Sequence, residues 1–409
     1  MTTRTDRRAV ITGVGVIAPN GVGADDFWKA TREGATALGP ITREGCEQMP
    51  LRVAGQVHGF DAEAAIEGRY LVQTDRFTHY AMAAADLALE DARLTADPAD
   101  PFAVGVVTAA GSGGGEFGQR ELQNLWGQGP HFVGPYQSIA WFYAASTGQI
   151  SIRGGFKGPC AVVASDEAGG LDALAHAVRT IRRGTDTLVV GAAEAPLAPY
   201  SMVCQLGYRE LSLADDPDRA YLPFSAQAGG FVPAEGGAMF VAEAEDAARR
   251  RGARIRAVLA GHAATFTGAS RWAESREGLA HAIRGALEEA HCAPDEIDVV
   301  FADALGVPEA DRAEALAIAD ALGGHATRVP VTAPKAGIGR AYCGAPLIDA
   351  AAAVLAMEQG LVPPTPNVTD VCHDLDLVTG YPRTGELRTA LVLSRGLMGS
   401  NAALVLRRP

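Results

Sequence analysis

The chain has 409 residues, with 35 Lys plus Arg against 48 Asp plus Glu for a formal charge of −13, and it is 48% hydrophobic but only 6% aromatic. That length supports one large core or two to three ordinary ones and excludes a small disulfide-stapled fold, while the acidic balance argues against nucleic acid or anionic lipid as a partner. An aliphatic-rich interior with 20% charged residues also disfavours disorder and coiled coil.

The N-terminal segment from Met1 to Arg8 lacks the apolar core of a secretory signal and runs into a strand at Ala9-Val-Ile-Thr. Next, Gly13-Val-Gly-Val-Ile-Ala matches a dinucleotide fingerprint, but Pro19-Asn-Gly breaks the chain where the phosphate-binding helix would run, so no cofactor site is expected there. Buried strands of an α/β chain are expected at Ala103-Val-Gly-Val-Val-Thr, Ala161-Val-Val-Ala, Leu188-Val-Val-Gly, Val299-Val-Phe-Ala and Leu391-Val-Leu-Ser. After the first of them, the segment from Gly111 to Trp126 reads by composition as a glycine loop leading into a helix.

From Gly158 to Leu174 a strand turns sharply into a helix whose first residue is expected near Glu167, the geometry of a nucleophile elbow. Leu171, Leu174, Ala175, Val178 and Ile181 then share one helical face, as do Leu279, Ala282, Ile283, Ala286, Leu287 and Ala290 further on. The stretch from Gly170 to Gly184 has a weak echo from Pro346 to Gly360, and the charged run Glu243 to Gly252 precedes a fresh strand at Ile255. Two similar halves, 1–253 and 254–409, are therefore expected.

Cys46, Cys160, Cys204, Cys292, Cys343 and Cys372 are scattered without C-x-x-C pairs, which points to reduced thiols and neither a disulfide framework nor a zinc site. Cys160 is expected as a small buried hydrophobe, and Cys372-His373 as a structural pair. Aliphatic runs such as Ala350 to Met357 fall far short of the ~20 residues that span a bilayer.

Several of these segments carry a resemblance. Arg8-Ala-Val-Ile-Thr-Gly-Val-Gly, Asp26-Phe-Trp, Val190-Gly-Ala-Ala-Glu-Ala-Pro, Pro223-Phe and Glu235-Gly-Gly-Ala, together with the elbow, are similar in order and spacing to the β-ketoacyl synthases. The resemblance implies an α/β, thiolase-like fold of two similar halves in a layered αβαβα arrangement. It also places Glu167 where the family has its nucleophilic cysteine. Asp303, in Phe301-Ala-Asp-Ala-Leu-Gly, and Arg340, in Lys335-Ala-Gly-Ile-Gly-Arg, stand where it has its two histidines, whereas Glu235 and Lys335 match retained scaffold positions.

Ketosynthase chemistry needs a thiolate to take the acyl chain, and histidines to polarise the malonyl thioester and stabilise its enolate. Glu167, Asp303 and Arg340 cannot supply these. A carboxylate at a helix N-terminus is favoured by the dipole, so Glu167 is expected ionised, with Arg340 as counter-ion and Asp303 sharing the pair, a charged plug in a former active site.

A ketosynthase-like chain without a nucleophile resembles the chain length factors, the β subunits of type II polyketide synthases, which usually carry glutamine at the elbow. This implies a non-catalytic, cytoplasmic subunit that completes a polyketide tunnel with a catalytic ketosynthase α subunit and is served by an acyl carrier protein. No metal or organic cofactor, nucleic acid or membrane is implied. Gly115, Gly118 and Leu122 fall at the gating positions, with Arg120 and Trp126 at the subunit contact, and two gates without side chains imply an unusually long product. Two rivals stay open: a malonyl-carrier decarboxylase using Glu167 and Arg340 to make the starter unit, and the β subunit of a reducing, polyene-making system.

Overall fold

The structure is a computed structural model that describes residues 7–95, 100–268 and 275–409, so Met1 to Asp6 of the N-terminal reading lie outside the described residues. The strand expected at Ala9 continues to Ala18 as β1 (Ala9–Ala18), buried throughout. The glycines of the apparent fingerprint lie inside it. A Cβ at Gly13 or Gly15 would overlap the carbonyl oxygen of Ala88 or Ala84 on helix α1 (Arg76–Asp91), so both glycines serve the contact between helix and sheet.

Besides a two-residue strand, Gly21–Val22, that pairs antiparallel with the end of β1, the main sheet holds β2 (Val104–Ala109), β3 (Cys160–Val163), β4 (Thr187–Glu194), β5 (Gly236–Ala244), β6 (Ala257–Phe266), β7 (Val299–Phe301), β8 (Pro330–Thr332), β9 (Asp376–Leu377), β10 (Thr389–Arg395) and β11 (Ser400–Arg407). Their spatial order is β9-β8-β7-β10-β11-β6-β1-β5-β4-β2-β3. It repeats about its centre: β3-β2-β4-β5-β1 from one edge corresponds to β8-β7-β10-β11-β6 from the other, with β9 added outside. The pairing repeats too, since β2 is parallel to β3 and β4 as β7 is to β8 and β10, and the pairs β4–β5, β5–β1, β10–β11 and β11–β6 are antiparallel, while the added β9 runs parallel to β8. Among the described residues, the strand partners that join the two sets are Val10–Val258 and Ile11–Ala257.

The helices that matter to the site follow α1 as α2 (Gly115–Gln128), α3 (Gln137–Ala140), α4 (Ala145–Gly154), α5 (Gly169–Arg182), α6 (Pro199–Gln205), α7 (Ser275–Glu289), α8 (Pro308–Leu322) and α9 (Ala345–Gln359). Leu171, Leu174 and Ile181 of α5 and Leu347, Val354 and Met357 of α9 share one core with both strand sets, which puts these helices in the middle layer. Phe77, Tyr80 and Ala84 of α1 cover Val106, Val189 and Val241 on one outer face. Leu279, Ile283 and Ile318 of α7 and α8 cover Val300, Val331 and Leu391 on the other. The layers are thus αβαβα, the thiolase-like arrangement.

The echo between Gly170 and Pro346 marks the two central helices. A Cβ at Gly170 would lie 2.9 Å from Pro346 Cγ and 3.1 Å from Leu347 Cγ, so the glycine lets them touch. Helix α9 is buried from Ala345 to Met357 and has no polar face, as a helix between two sheets requires.

All six cysteines are free. Cys160 corrects an expectation: it is exposed, because β3 is the outermost strand of its set, and its Sγ lies 3.2 Å from Ser151 Oγ. The His373 ring packs edge-on against Phe224 at 6.0 Å and Cys372 Sγ meets Phe224 O at 3.2 Å, a structural pair. Among the described residues no helix is long and apolar enough to cross a membrane.

Candidate functional site: a buried charge cluster at the elbow

Strand β3 ends at Val163, and the chain turns through Asp166, whose φ of 48° is a left-handed conformation that aspartate tolerates better than most residues. Glu167 follows and is only 2% exposed. It stands two residues before the first residue of α5, later than the helix start expected from sequence. Its Oε2 accepts the Leu397 N–H at 2.7 Å, and Asp166 Oδ2 accepts the Met398 N–H at 2.7 Å, both from the loop joining β10 to β11. Gly396 permits this contact, since a Cβ there would overlap the Asp166 carboxyl.

Burial pushes the Glu167 carboxyl well above the usual range; the nearby charge of Arg340 acts against this, while its hydrogen bond to Asp166 adds to the rise. Burial therefore acts against the ionised Glu167 expected from the helix dipole. A helix dipole contributes about 0.3–1 kcal/mol at a surface, and full burial beside a second carboxyl outweighs it.

Arg340 is also not bonded to Glu167 among the described residues. Its Nη2 lies 2.9 Å from Asp303 Oδ1, and its Nη1 donates to the Asp303 carbonyl at 3.2 Å. The other cation on Asp303 is Arg395, which sequence reasoning missed. Arg395 donates its main-chain N–H at 2.9 Å and its Nε–H at 3.1 Å to the two oxygens of Asp303, and its Nη2 lies 2.9 Å from Glu314 Oε2. Lys335 Nζ sits 2.5 Å from Asp349 Oδ2 and donates to the Asp303 carbonyl at 3.1 Å.

Three cations thus meet three acidic side chains, none more than 2% exposed. Burial opposes ionisation of Asp303, but Arg340, Arg395 and Lys335 together outweigh it and hold its carboxyl below the usual range. Glu167 is the surplus acid, a further reason for it to keep its proton. Nearby, Cys343 Sγ meets the Asp166 carbonyl at 3.0 Å, and burial pushes that thiol well above its ordinary value, so no thiolate stands ready. Glu235 is buried and accepts from Val57 N–H at 2.9 Å and from Arg43, which ties the neighbouring loops together.

Gly115, Gly118 and Leu122 all lie on α2, so the glycine loop is helix from Gly115 onward. The start of α2 is held by Asp75 Oδ2, which accepts Phe117 N–H at 2.7 Å, and by Arg76, whose Nε and Nη2 reach the Glu116 carboxylate at 2.7 and 2.9 Å. Glu194, also missed from sequence, accepts from Gly111 N–H and from Ser112 Oγ at 2.6 Å. The two glycines expected as gates are not open space. A Cβ at Gly115 would overlap Ser201 Oγ on α6, and one at Gly118 would lie 3.0 Å from Trp141 Cδ1. Leu122 is 39% exposed, Trp126 is exposed, and the Arg120 guanidinium stacks over the Phe117 ring at 4.5 Å.

The β-ketoacyl synthase N-terminal domain profile matches residues 6–247, and the β-ketoacyl synthase C-terminal domain profile matches residues 256–369. The chain belongs to the β-ketoacyl synthase family. This ketosynthase-family chain is 73% identical, over 98% of its length and 95% of the relative, to a Streptomyces coelicolor protein provisionally named polyketide β-ketoacyl synthase 2. It is 51% identical, over 98% of both chains, to the tetracenomycin polyketide synthase ketoacyl synthase β subunit of Streptomyces glaucescens. Among solved ketosynthases it superposes on the ishigamide ketosynthase/chain length factor with TM-score 0.88 and 28% identity, covering 98% of this chain and 99% of that one. It superposes with TM-score 0.86 and 28% identity on a type II polyketide ketosynthase in complex with its acyl carrier protein and bound to a hexaketide, covering 98% and 100%.

Proposed function

We propose that this chain is the non-catalytic, chain-length-determining β subunit of a heterodimeric type II polyketide ketosynthase. It completes the polyketide tunnel against a catalytic α subunit, which supplies the cysteine and histidines, while an acyl carrier protein delivers malonyl units to the pair in the cytoplasm. The observation that carries the reading is the state of the elbow: Glu167 is buried and engaged with Leu397, and the two histidine positions hold a buried Asp303–Arg340 ion pair. None of the three is a nucleophile or a proton donor of the kind the condensation needs. The names of the relatives and the paired subunits of the ishigamide structure support the same reading.

The surface beside α2 supports the heterodimer. Trp126, Phe132, Ile139, Trp141, Phe142 and Tyr143 are exposed on one short stretch of chain, an apolar density that a lone soluble chain rarely carries. The division into halves 1–253 and 254–409 belongs to the same reading and is supported by the repeated strand order. Reconstitution with a catalytic α subunit and carrier protein tests the proposal. Replacing Leu122 with Phe should shorten the product at similar turnover, whereas an unchanged product would contradict a gate on α2.

A further inference from the structure

Three glycines, Gly113, Gly114 and Gly118, lie around one foreign segment. Gly113 has φ of 67°, and a Cβ there would come within 2.6 Å of the Trp141 carbonyl oxygen. A Cβ at Gly114 would overlap the carbonyl of Ala140, and Gly114 N–H donates to the Trp141 carbonyl at 3.1 Å. At Gly118 the missing side chain would point at the indole, 3.0 Å from Cδ1 and 3.8 Å from both Cγ and Nε1. The glycine run is therefore a seat for residues 140 and 141. Trp141 closes the short helix α3 as its C-cap, with its N–H donating to Gln137 at 3.2 Å, so its backbone is fixed at both ends of the contact. Its side chain remains 56% exposed, next to the helical face that carries Leu122 one turn beyond Gly118.

We infer that Trp141 is the specificity-determining side chain at this gate: its indole occupies the volume that a bulky residue at position 118 would fill, and it limits product length there. The inference rests on the proposed role of α2 as the tunnel wall and reverses one expectation drawn from it. Two glycines on α2 do not make a wide passage, because a neighbouring segment fills the second of them and Ser201 the first. An indole presents roughly 150–250 Å² of surface, enough to stop an elongating chain where the glycine alone would let it pass.

The test is product mass from the chain reconstituted with a catalytic α subunit, carrier protein and malonyl donor. Four versions are compared: native, Trp141→Ala, Trp141→Phe and Leu122→Phe. The inference predicts longer products from Trp141→Ala, with Trp141→Phe intermediate, and shorter products from Leu122→Phe. If Leu122→Phe shortens the product while both Trp141 variants leave it unchanged, the tunnel reading stands and the role of Trp141 is overturned. If no variant changes product length, the reading of α2 as tunnel wall fails and takes this inference with it. Size-exclusion chromatography accompanies each assay. If both Trp141 variants fail to pair with the α subunit and give no product, Trp141 is a subunit contact and the inference is overturned.

Discussion

Glu167 Oε2 accepts the main-chain N–H of Leu397 at 2.7 Å, so the side chain at the elbow is engaged by the loop between β10 and β11 rather than directed at a substrate. A protonated glutamic acid in this place has the shape and hydrogen-bonding capacity of glutamine, accepting through one oxygen and donating through the other. The two residues are physically interchangeable here so long as the acid stays neutral.

Replacing Glu167 with Gln should therefore separate the two proteins by pH. Because the folded-state carboxyl is raised above its unfolded value, the native form holds its proton more tightly, and its contribution to stability is complete only below about pH 4.3, the ordinary glutamate value. It is lost progressively as pH rises towards the folded value. Thermal melts from pH 4 to 8 should show similar Tm values for both proteins at the acid end and an increasing advantage for Glu167→Gln above it. A constant difference across the range would mean that folding leaves the proton affinity of Glu167 unchanged.

The Asp303–Arg340 pair should behave as a buried ion pair. Asp303→Asn or Arg340→Met alone should cost about 3–5 kcal/mol, and the double change less than the sum of the two. Asp303→Asn should be the more damaging, because Asp303 serves Arg395 as well as Arg340. Urea unfolding of the three variants measures this, and strict additivity would show that the pair is not coupled.

Asp75 caps α1 through Phe77 N–H and also accepts Phe117 N–H at the start of α2. Asp75→Ala should cost about 1–2 kcal/mol from the lost cap and speed hydrogen exchange at the Phe117 amide. Exchange at the native rate would mean that α2 is held from elsewhere.

Gly115→Phe should not act as a simple plug, because its Cβ would overlap Ser201 Oγ. Alone it should lower Tm by disturbing α6, and combined with Ser201→Gly it should recover much of that loss while shortening the product. Equal melting of the single and double variants would show that Ser201 turns aside without cost.

Much of the fold was legible because it rests on local periodicity: the strands at Ala103 and Leu188, the stripe of α5 and the echo that marks α9 all follow from apolar spacing. The positions of Glu167, Asp303 and Arg340 could be read from resemblance, but their pairing could not. Proton affinity and ion-pair partners depend on what distant segments bring: Leu397 reaches Glu167 from 230 residues away in sequence, and Arg395 reaches Asp303 from 92. A lone arginine ending the apolar run Leu391-Val-Leu-Ser was the one available signal for Arg395. The space beside Gly115 and Gly118 was hidden for the same reason, since a missing side chain in the sequence says nothing about which neighbour fills its place, and here Ser201 and Trp141 stand there.

The most direct test of the central claim, that the acyl chain never bonds to this subunit, is intact-mass spectrometry of both chains of the reconstituted pair after loading from an acyl carrier protein. The account predicts an acyl adduct on the catalytic α subunit alone, with the mass of this chain unchanged, and Glu167→Cys should not restore condensation, because Asp303 and Arg340 still hold the histidine positions. A stable acyl adduct on the native chain, at Glu167 or at Cys343, would contradict it.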